Sequence, residues 1–342
     1  MDEIFMRRCL ELAEAGKGNT SPNPMVGSVV VHEGQIIGEG YHRRAGEPHA
    51  EVNAIAAVQN PNLLSSSTLY VNLEPCAHYG KTPPCTDLII EKNIRRVVVA
   101  CLDPFPAVSG QGICRLQRAD VEIVTGILER EARSLNKVFI TFHEQHRPYI
   151  FLKWAQSIDG FIDRLRIDTS SAPVRFSSTA SRRIVHKLRS EVAAIMIGRQ
   201  TAELDNPSLT VRYWAGLSPV RLVLGRRFVP PPQAHLSDRT VETLFFSEEN
   251  MDYNRPLLPQ VLAELYARKL DSLLVEGGAT LLNSFLEAGL WDEAHVEVVP
   301  FFLGKGVIAP TITTSSLPIL RQSEEKWTDG RRILHYYANS LA

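Results

Sequence analysis

Two short stretches hold the residue types that could do chemistry together. They are Pro48-His49-Ala50-Glu51 and Glu74-Pro75-Cys76-Ala77-His78-Tyr79-Gly80-Lys81-Thr82-Pro83-Pro84-Cys85. One imidazole and two thiolates supply three ligands to a tetrahedral zinc and leave the fourth position for water, the arrangement that separates a catalytic zinc from a structural one. Glu51 follows the histidine by two residues, so it can stand beside the metal without binding it. There it can take a proton from water and pass it to a leaving amine. The competing reading, a buried histidine and two core thiols, leaves this order of ligand types and carboxylate unexplained. A closed structural zinc would need a fourth ligand, for which His78 is the one candidate.

His-x-Glu followed by Pro-Cys and a further cysteine is the pattern of zinc deaminases. Eight residues separate Cys76 from Cys85, where deaminases of nucleic acid have two. The whole chain points the same way. Its 342 residues carry 37 Lys+Arg against 38 Asp+Glu, a formal net charge of -1. Such a balance supplies no basic surface for a polyphosphate backbone, so no nucleic-acid partner is expected and an RNA- or DNA-editing enzyme is disfavoured. No apolar run approaches membrane-spanning length, so no membrane partner is expected either. The N-terminus lacks the pattern of a secretory signal, and five cysteines do not form a disulfide framework, which points to the cytoplasm. Cys9, Cys101 and Cys114 sit in apolar periodic stretches and read as core thiols.

The elements that must position these residues alternate. Residues 3–15 read as an amphipathic helix, and 28–32 with 35–42 as a hairpin around Glu33-Gly34. Pro48 reads as a first-turn proline of a helix continuing through Val58. Strands at 68–73, 96–101 and 121–124 alternate with helices at 85–92, 113–119 and 127–135. That makes an α/β layered domain with the metal ligands at strand ends and helix starts, where free N–H groups favour thiolate. The polar stretch 143–148 reads as a junction. Beyond it a second α/β pattern has strands at 149–153, 193–197, 220–224, 242–246, 272–277, 295–299 and 332–336. Helices are expected at 178–190, 262–269 and 279–288, with an extended loop over 226–238. The expected domains are residues 1–146 and 147–342.

The first half resembles the deaminase domain of the bifunctional pyrimidine deaminase/reductases of riboflavin biosynthesis. The resemblance rests on Asn23-Pro24-x-Val26-Gly27, Gly40-x-His42, His49-Ala50-Glu51 and Pro75-Cys76-x-His78-x-Gly80-x-Thr82-Pro83-Pro84-Cys85. The second half is similar to the reductase domain of the same family. It carries Lys153-x-Ala155-x-Ser157-Ile158-Asp159-Gly160, Arg182-Arg183…Leu188-Arg189, Gly198-x-x-Thr201-x-x-x-Asp205-Asn206-Pro207-x-Leu209-Thr210-x-Arg212 and Val275-Glu276-Gly277-Gly278. The resemblance implies a cytidine-deaminase-like three-layer α/β/α domain followed by a dihydrofolate-reductase-like α/β domain. It implies zinc on His49, Cys76 and Cys85, Glu51 as proton shuttle, and Asn23 and His42 in the substrate pocket. Asn23 reads equally as a cap on the turn its prolines enforce. In the reductase half it implies NADPH at Ala155, Thr201, Asp205, Gly278, Ala279 and Thr280, with substrate at Arg189, Leu209, Arg212 and Glu276. Arg189 and Arg212 suit a phosphate through paired donors.

The implied reactions are deamination of 2,5-diamino-6-(5-phosphoribosylamino)pyrimidin-4-one and NADPH reduction of the product's ribosyl chain to ribityl, by a homo-oligomer acting on small molecules. Three places depart from the family. Val174-Arg175-Phe176-Ser177-Ser178 stands where a tryptophan followed by Ile and Ser or Thr is usual, Leu224-Gly225 replaces Leu-Asp, and Asp205-Asn206 replaces paired aspartates. They leave open a second expectation, a deaminase with a degraded reductase half.

Overall fold

The computed structural model describes residues 1–79, 83–105, 109–312, 321–327 and 329–338. Gly80 and Thr82 of the cysteine loop lie outside the described residues, as do 339–342. The chain forms two compact units, Met1–His146 and Arg147–Ser340.

In the first unit, α1 (Asp2–Glu14) leads to the hairpin β1 (Gly27–His32) and β2 (Gln35–Tyr41). Then come α2 (Ala50–Ala56), a 3-10 turn (Pro61–Ser66), β3 (Thr68–Leu73), α3 (Cys85–Glu91), β4 (Arg96–Cys101), α4 (Gln111–Arg118), β5 (Glu122–Thr125), α5 (Glu129–Leu135) and α6 (Lys137–Gln145). The sheet runs β2-β1-β3-β4-β5, antiparallel around β1 and parallel from β3 to β5. The near-continuous apolar run of β4 is explained by cover on both faces. Val98 and Ala100 pack with Phe5, Met6, Cys9 and Ala132, while Val97 and Val99 pack with Ala54, Ile55, Ile89 and Leu116. These are the three layers.

Two local expectations need correction, and one helix was not expected. The helix after Pro48 starts at Ala50, with His49 as an extended N-cap (ψ 164), so the proline lies outside it. Residues 137–145 form a helix, because Ile140 and Phe142 supply a buried face, and the first unit ends just after it, within the stretch 143–148. His146 ends that helix in the left-handed region. Cys114 is exposed, since α4 buries Gly112 and Leu116, one turn apart, and residue 114 points away from that side.

The second unit contains β6 (Tyr149–Ser157), β7 (Phe161–Asp163), α7 (Thr179–Ser190), β8 (Ala194–Gly198), α8 (Arg199–Asp205), β9 (Val220–Leu224), β10 (Thr243–Phe246) and α9 (Leu257–Ala267). It continues through β11 (Ser272–Gly277), α10 (Ala279–Glu287), β12 (Glu293–Val299), β13 (Val307–Ile308), β14 (Arg321–Lys326) and β15 (Arg332–Tyr337). Its eight-stranded sheet has the order β10-β9-β8-β11-β6-β12-β15-β14, parallel except at β15 and β14. One face packs Leu152, Trp154, Met196, Val275 and Val296 against Val261, Leu265, Leu282 and Phe285 of α9 and α10. Ser178 caps α7, its hydroxyl accepting from Ser181 N at 3.1 Å.

No described helix is long and apolar enough to cross a membrane.

Candidate active sites

Three different element ends converge on one point of the first unit. His49 is the N-cap of α2, Cys76 follows the end of β3, and Cys85 opens α3. His49 Nδ1 lies 3.3 Å from Cys85 Sγ and 3.5 Å from Cys76 Sγ. The three ligand atoms lie within 4.8 Å of one another, the sole such group of three among the described residues. His78 is exposed and outside the group. One nitrogen and two sulfurs at this spacing, with no fourth protein ligand among the described residues, fit a zinc site with one open position.

The two sulfurs compete for one proton. The hydrogen bond from Cys85 holds Cys76 far below the usual thiol value, and the same contact, with burial, pushes Cys85 up. A dication held by His49, Cys76 and Cys85 would take the place of that proton. Glu51 lies within the first turn of α2, almost fully buried. Burial raises its carboxyl to about 7, and the neighbouring Cys76 adds to the shift. A carboxyl poised there can both take and return a proton near neutral pH.

The ligand-bearing backbone is held from several sides. Thr86 donates to the Cys76 carbonyl from both N and Oγ1 at 3.2 Å, and Cys85 N donates to Cys76 Sγ at 3.3 Å. Arg115 Nη1 donates to the Ala77 carbonyl at 3.1 Å and pairs with Asp87. Glu74, buried at 5 % exposure, accepts four backbone N–H groups. Oε1 takes Gly112 (2.8 Å) and Ile113 (3.2 Å), and Oε2 takes Gly110 (2.9 Å) and Asp103 (3.1 Å). Gly112 must lack a side chain, for a Cβ there would lie 2.1 Å from the Pro75 carbonyl.

Beside the triad, Asn23 Nδ2 donates to His42 Nε2 at 3.1 Å, which leaves the Nδ1 proton for the Pro48 carbonyl at 3.2 Å. Burial lowers the His42 pKa, which favours this neutral form. The His42 and His49 rings meet edge to face at 5.5 Å. Asn23 and His42 therefore stand together, next to the metal ligands.

In the second unit, the carboxyl ends of parallel strands open onto a cleft of about 1160 Å³, the usual ligand position of such sheets. Ala155, Arg189, Thr201, Asp205, Arg212, Glu276, Gly278, Ala279 and Thr280 all line it, with Lys153. Gly278 has φ +72, and a Cβ on it would meet Thr201 Oγ1 at 3.2 Å. The turn before α10 thus presses against α8 along the cleft wall.

Leu209 is the exception. It is 2 % exposed, its backbone is left-handed (φ +55), and it does not line the cleft. Arg189 also departs from the expected phosphate grip. Its Nε and Nη2 reach Glu276 at 2.9 and 2.6 Å and Nη1 reaches the Thr210 carbonyl at 3.2 Å, so the guanidinium is already committed. Burial is the strongest single influence on Glu276 and works to raise it, but the charge and hydrogen bonds of Arg189, together with the Lys153 and His186 charges, outweigh it and the carboxyl sits below its usual value. Asp205 pairs with Arg166, which also binds Asp163.

The departures have local explanations. Asn206 caps α8 with φ 41 and accepts from His235 N at 2.9 Å. Gly225 makes room for Arg199, whose Cβ would lie 2.7 Å from an added Cβ. Phe176 is buried and stacks on Phe301 at 5.5 Å, while exposed Arg175 lines the cleft.

A three-layer unit with an open His-Cys-Cys site and buried glutamate, followed by a cleft at parallel strand ends, defines a zinc deaminase joined to a nucleotide-using reductase. The model for the cytidine and deoxycytidylate deaminase zinc-binding region matches residues 1–101, and that for the RibD C-terminal domain matches 148–332. The riboflavin biosynthesis protein RibD of Aquifex aeolicus is 41% identical over 90% of this chain and 89% of its own length. Among solved structures, Acinetobacter baumannii RibD (form 1) superposes with TM-score 0.86 at 32% identity, covering 99% of both chains. The Thermotoga maritima diaminohydroxyphosphoribosylaminopyrimidine deaminase/5-amino-6-(5-phosphoribosylamino)uracil reductase gives 0.85 at 34%, with the same coverage. The chain belongs to the RibD family, the bifunctional deaminase/reductases of riboflavin biosynthesis, which use zinc and NADPH. The idea of a degraded second half gives way to a RibD C-terminal domain matched over 148–332.

Proposed function

We propose that Met1–His146 hydrolytically deaminates 2,5-diamino-6-(5-phosphoribosylamino)pyrimidin-4-one, and that Arg147–Ser340 reduces the ribosyl chain of the product to ribityl. The observation that carries the first step is Glu51 buried beside an open triad of His49, Cys76 and Cys85. These three would hold zinc, which, when bound, supplies the Lewis acid that makes water nucleophilic near neutral pH. Glu51 accepts the proton that water gives up and returns it to the departing amine. Asn23 and His42 orient the ring. Free thiols at 76 and 85 are required for metal binding and suit a reducing compartment such as the cytosol.

In the reductase cleft, the Gly278 turn and the start of α10 suit the cofactor's pyrophosphate. Arg212 is exposed, with its Nη1 on Thr210 Oγ1 at 3.2 Å, and suits the substrate phosphate. Arg189 acts differently: with help from the Lys153 charge, it keeps Glu276 ionised at the cleft wall. Bound NADPH would supply the hydride, and Lys153, Arg212 and Glu276 would hold the sugar in the cleft.

Glu51→Ala tests the assignment. Zinc content should stay at the wild-type level, deamination should fall by about 10²-fold or more, and NADPH oxidation with supplied deaminated product should persist. Surviving deamination would refute Glu51 as the shuttle.

A further inference from the structure

We propose that Asn72 and Asn136 are positioning residues of the deaminase pocket, holding the Met25 peptide so that Asn23 and His42 face the substrate. The proposal rests on the reading of Asn23 as a substrate contact.

Residues 23–26 belong to no strand or helix, yet they carry the pocket. Their backbone is paired by two buried side-chain amides instead. Asn136, 2 % exposed between α5 and α6, donates from Nδ2 to the Met25 carbonyl at 2.9 Å and accepts from Met25 N at 2.8 Å. Asn72, fully buried on β3, donates to the same carbonyl at 3.1 Å and accepts from Gly27 N at 2.8 Å. The β1–β3 ladder ends at Ser28 and Val71, so Asn72 extends it by one rung with its side chain. Met25 is thus paired on both sides, like a strand residue.

The hold passes directly to the pocket. Val26, the next residue, accepts from His42 N at 2.8 Å, and His42 accepts from Asn23 at 3.1 Å. An ordinary buried asparagine satisfies itself wherever partners happen to be. These two spend both ends of both amides on a three-residue stretch.

Aspartate at 136 keeps the shape and the acceptor but loses the N–H, setting an oxygen against the Met25 carbonyl. Asn136→Asp and Asn136→Ala should keep zinc at the wild-type level and leave reduction of supplied product unchanged. Deaminase KM for the phosphoribosylated diaminopyrimidine should rise about tenfold, the scale of one lost buried hydrogen bond, with kcat within about threefold. In an Asn23→Ala background, Asn136→Asp should add no further rise, because it acts through that residue. Loss of zinc in both Asn136 variants would make their role structural and overturn the proposal. A normal KM in both, beside a raised one in Asn23→Ala, would overturn the positioning role alone. An unchanged KM in Asn23→Ala itself would overturn the pocket reading on which the proposal stands.

Discussion

Glu74→Gln should loosen the deaminase unit at its metal site. The carboxylate serves four N–H donors, two on each oxygen, within a buried pocket. An amide keeps one oxygen and turns an NH₂ toward the other pair, so two donors face a donor. Hydrogen bonds to a charged group contribute about 1.5–3 kcal/mol each, which puts the loss at about 3–6 kcal/mol. The pairs at risk tie the start of α4 and the residue after β4's exit to the segment carrying Cys76. All four tryptophans (Trp154, Trp214, Trp291 and Trp327) lie beyond residue 146, so their fluorescence reports the second unit and serves as an internal control. Denaturant unfolding followed by far-UV circular dichroism should shift its first-unit transition while the fluorescence transition stays in place. Zinc loss to a competing chelator should quicken in parallel. A shift below about 1 kcal/mol, with unchanged zinc release, would refute the view that this carboxylate anchors the ligand segment.

Two further outcomes concern the second unit. Arg189→Met strands the largely buried Glu276 carboxylate and should cost up to about 3–5 kcal/mol in the tryptophan-reported transition, while Arg189→Met/Glu276→Gln recovers much of it. A double variant no better than the single would remove the ion pair as the cause. His186, buried at 4 % exposure, accepts from Arg212 N at 2.9 Å, and burial with the nearby Arg189 charge lowers its pKa to about 4. The unfolded chain therefore binds this proton first as pH falls. The contribution is complete above about 6.5 and is lost as pH drops toward 4. His186→Gln should flatten that part of the stability–pH curve, and an unaltered slope would discard the assignment.

The deaminase site was legible because its chemistry is local. His49 and Glu51 are two apart, and Cys76 and Cys85 bracket one loop, so residue type and spacing carried the ligand set. The reductase site depended on resemblance, since Ala155, Arg189, Thr201 and Glu276 meet only through the parallel sheet. Spacing could not show that Arg189 faces Glu276, 87 positions away, rather than a phosphate. Nor could it reveal Asn72 and Asn136, which look like a strand residue and a helix break. Their partners are backbone atoms 47 and 111 residues off. Glu74 lay in full view beside the signature, but its role depends on where α4 starts. The strand β14 and short α8 were missed because neither has a clean apolar period, whereas β3, β4 and β9, buried on both faces, stood out.

The base of the cysteine loop has a mutational consequence. Cys76 and Cys85 are bridged by Thr86 and by the Cys85 amide, so hydrogen bonds close the loop at its neck. Substitutions within the loop then leave the two metal ligands tied to one another at its base.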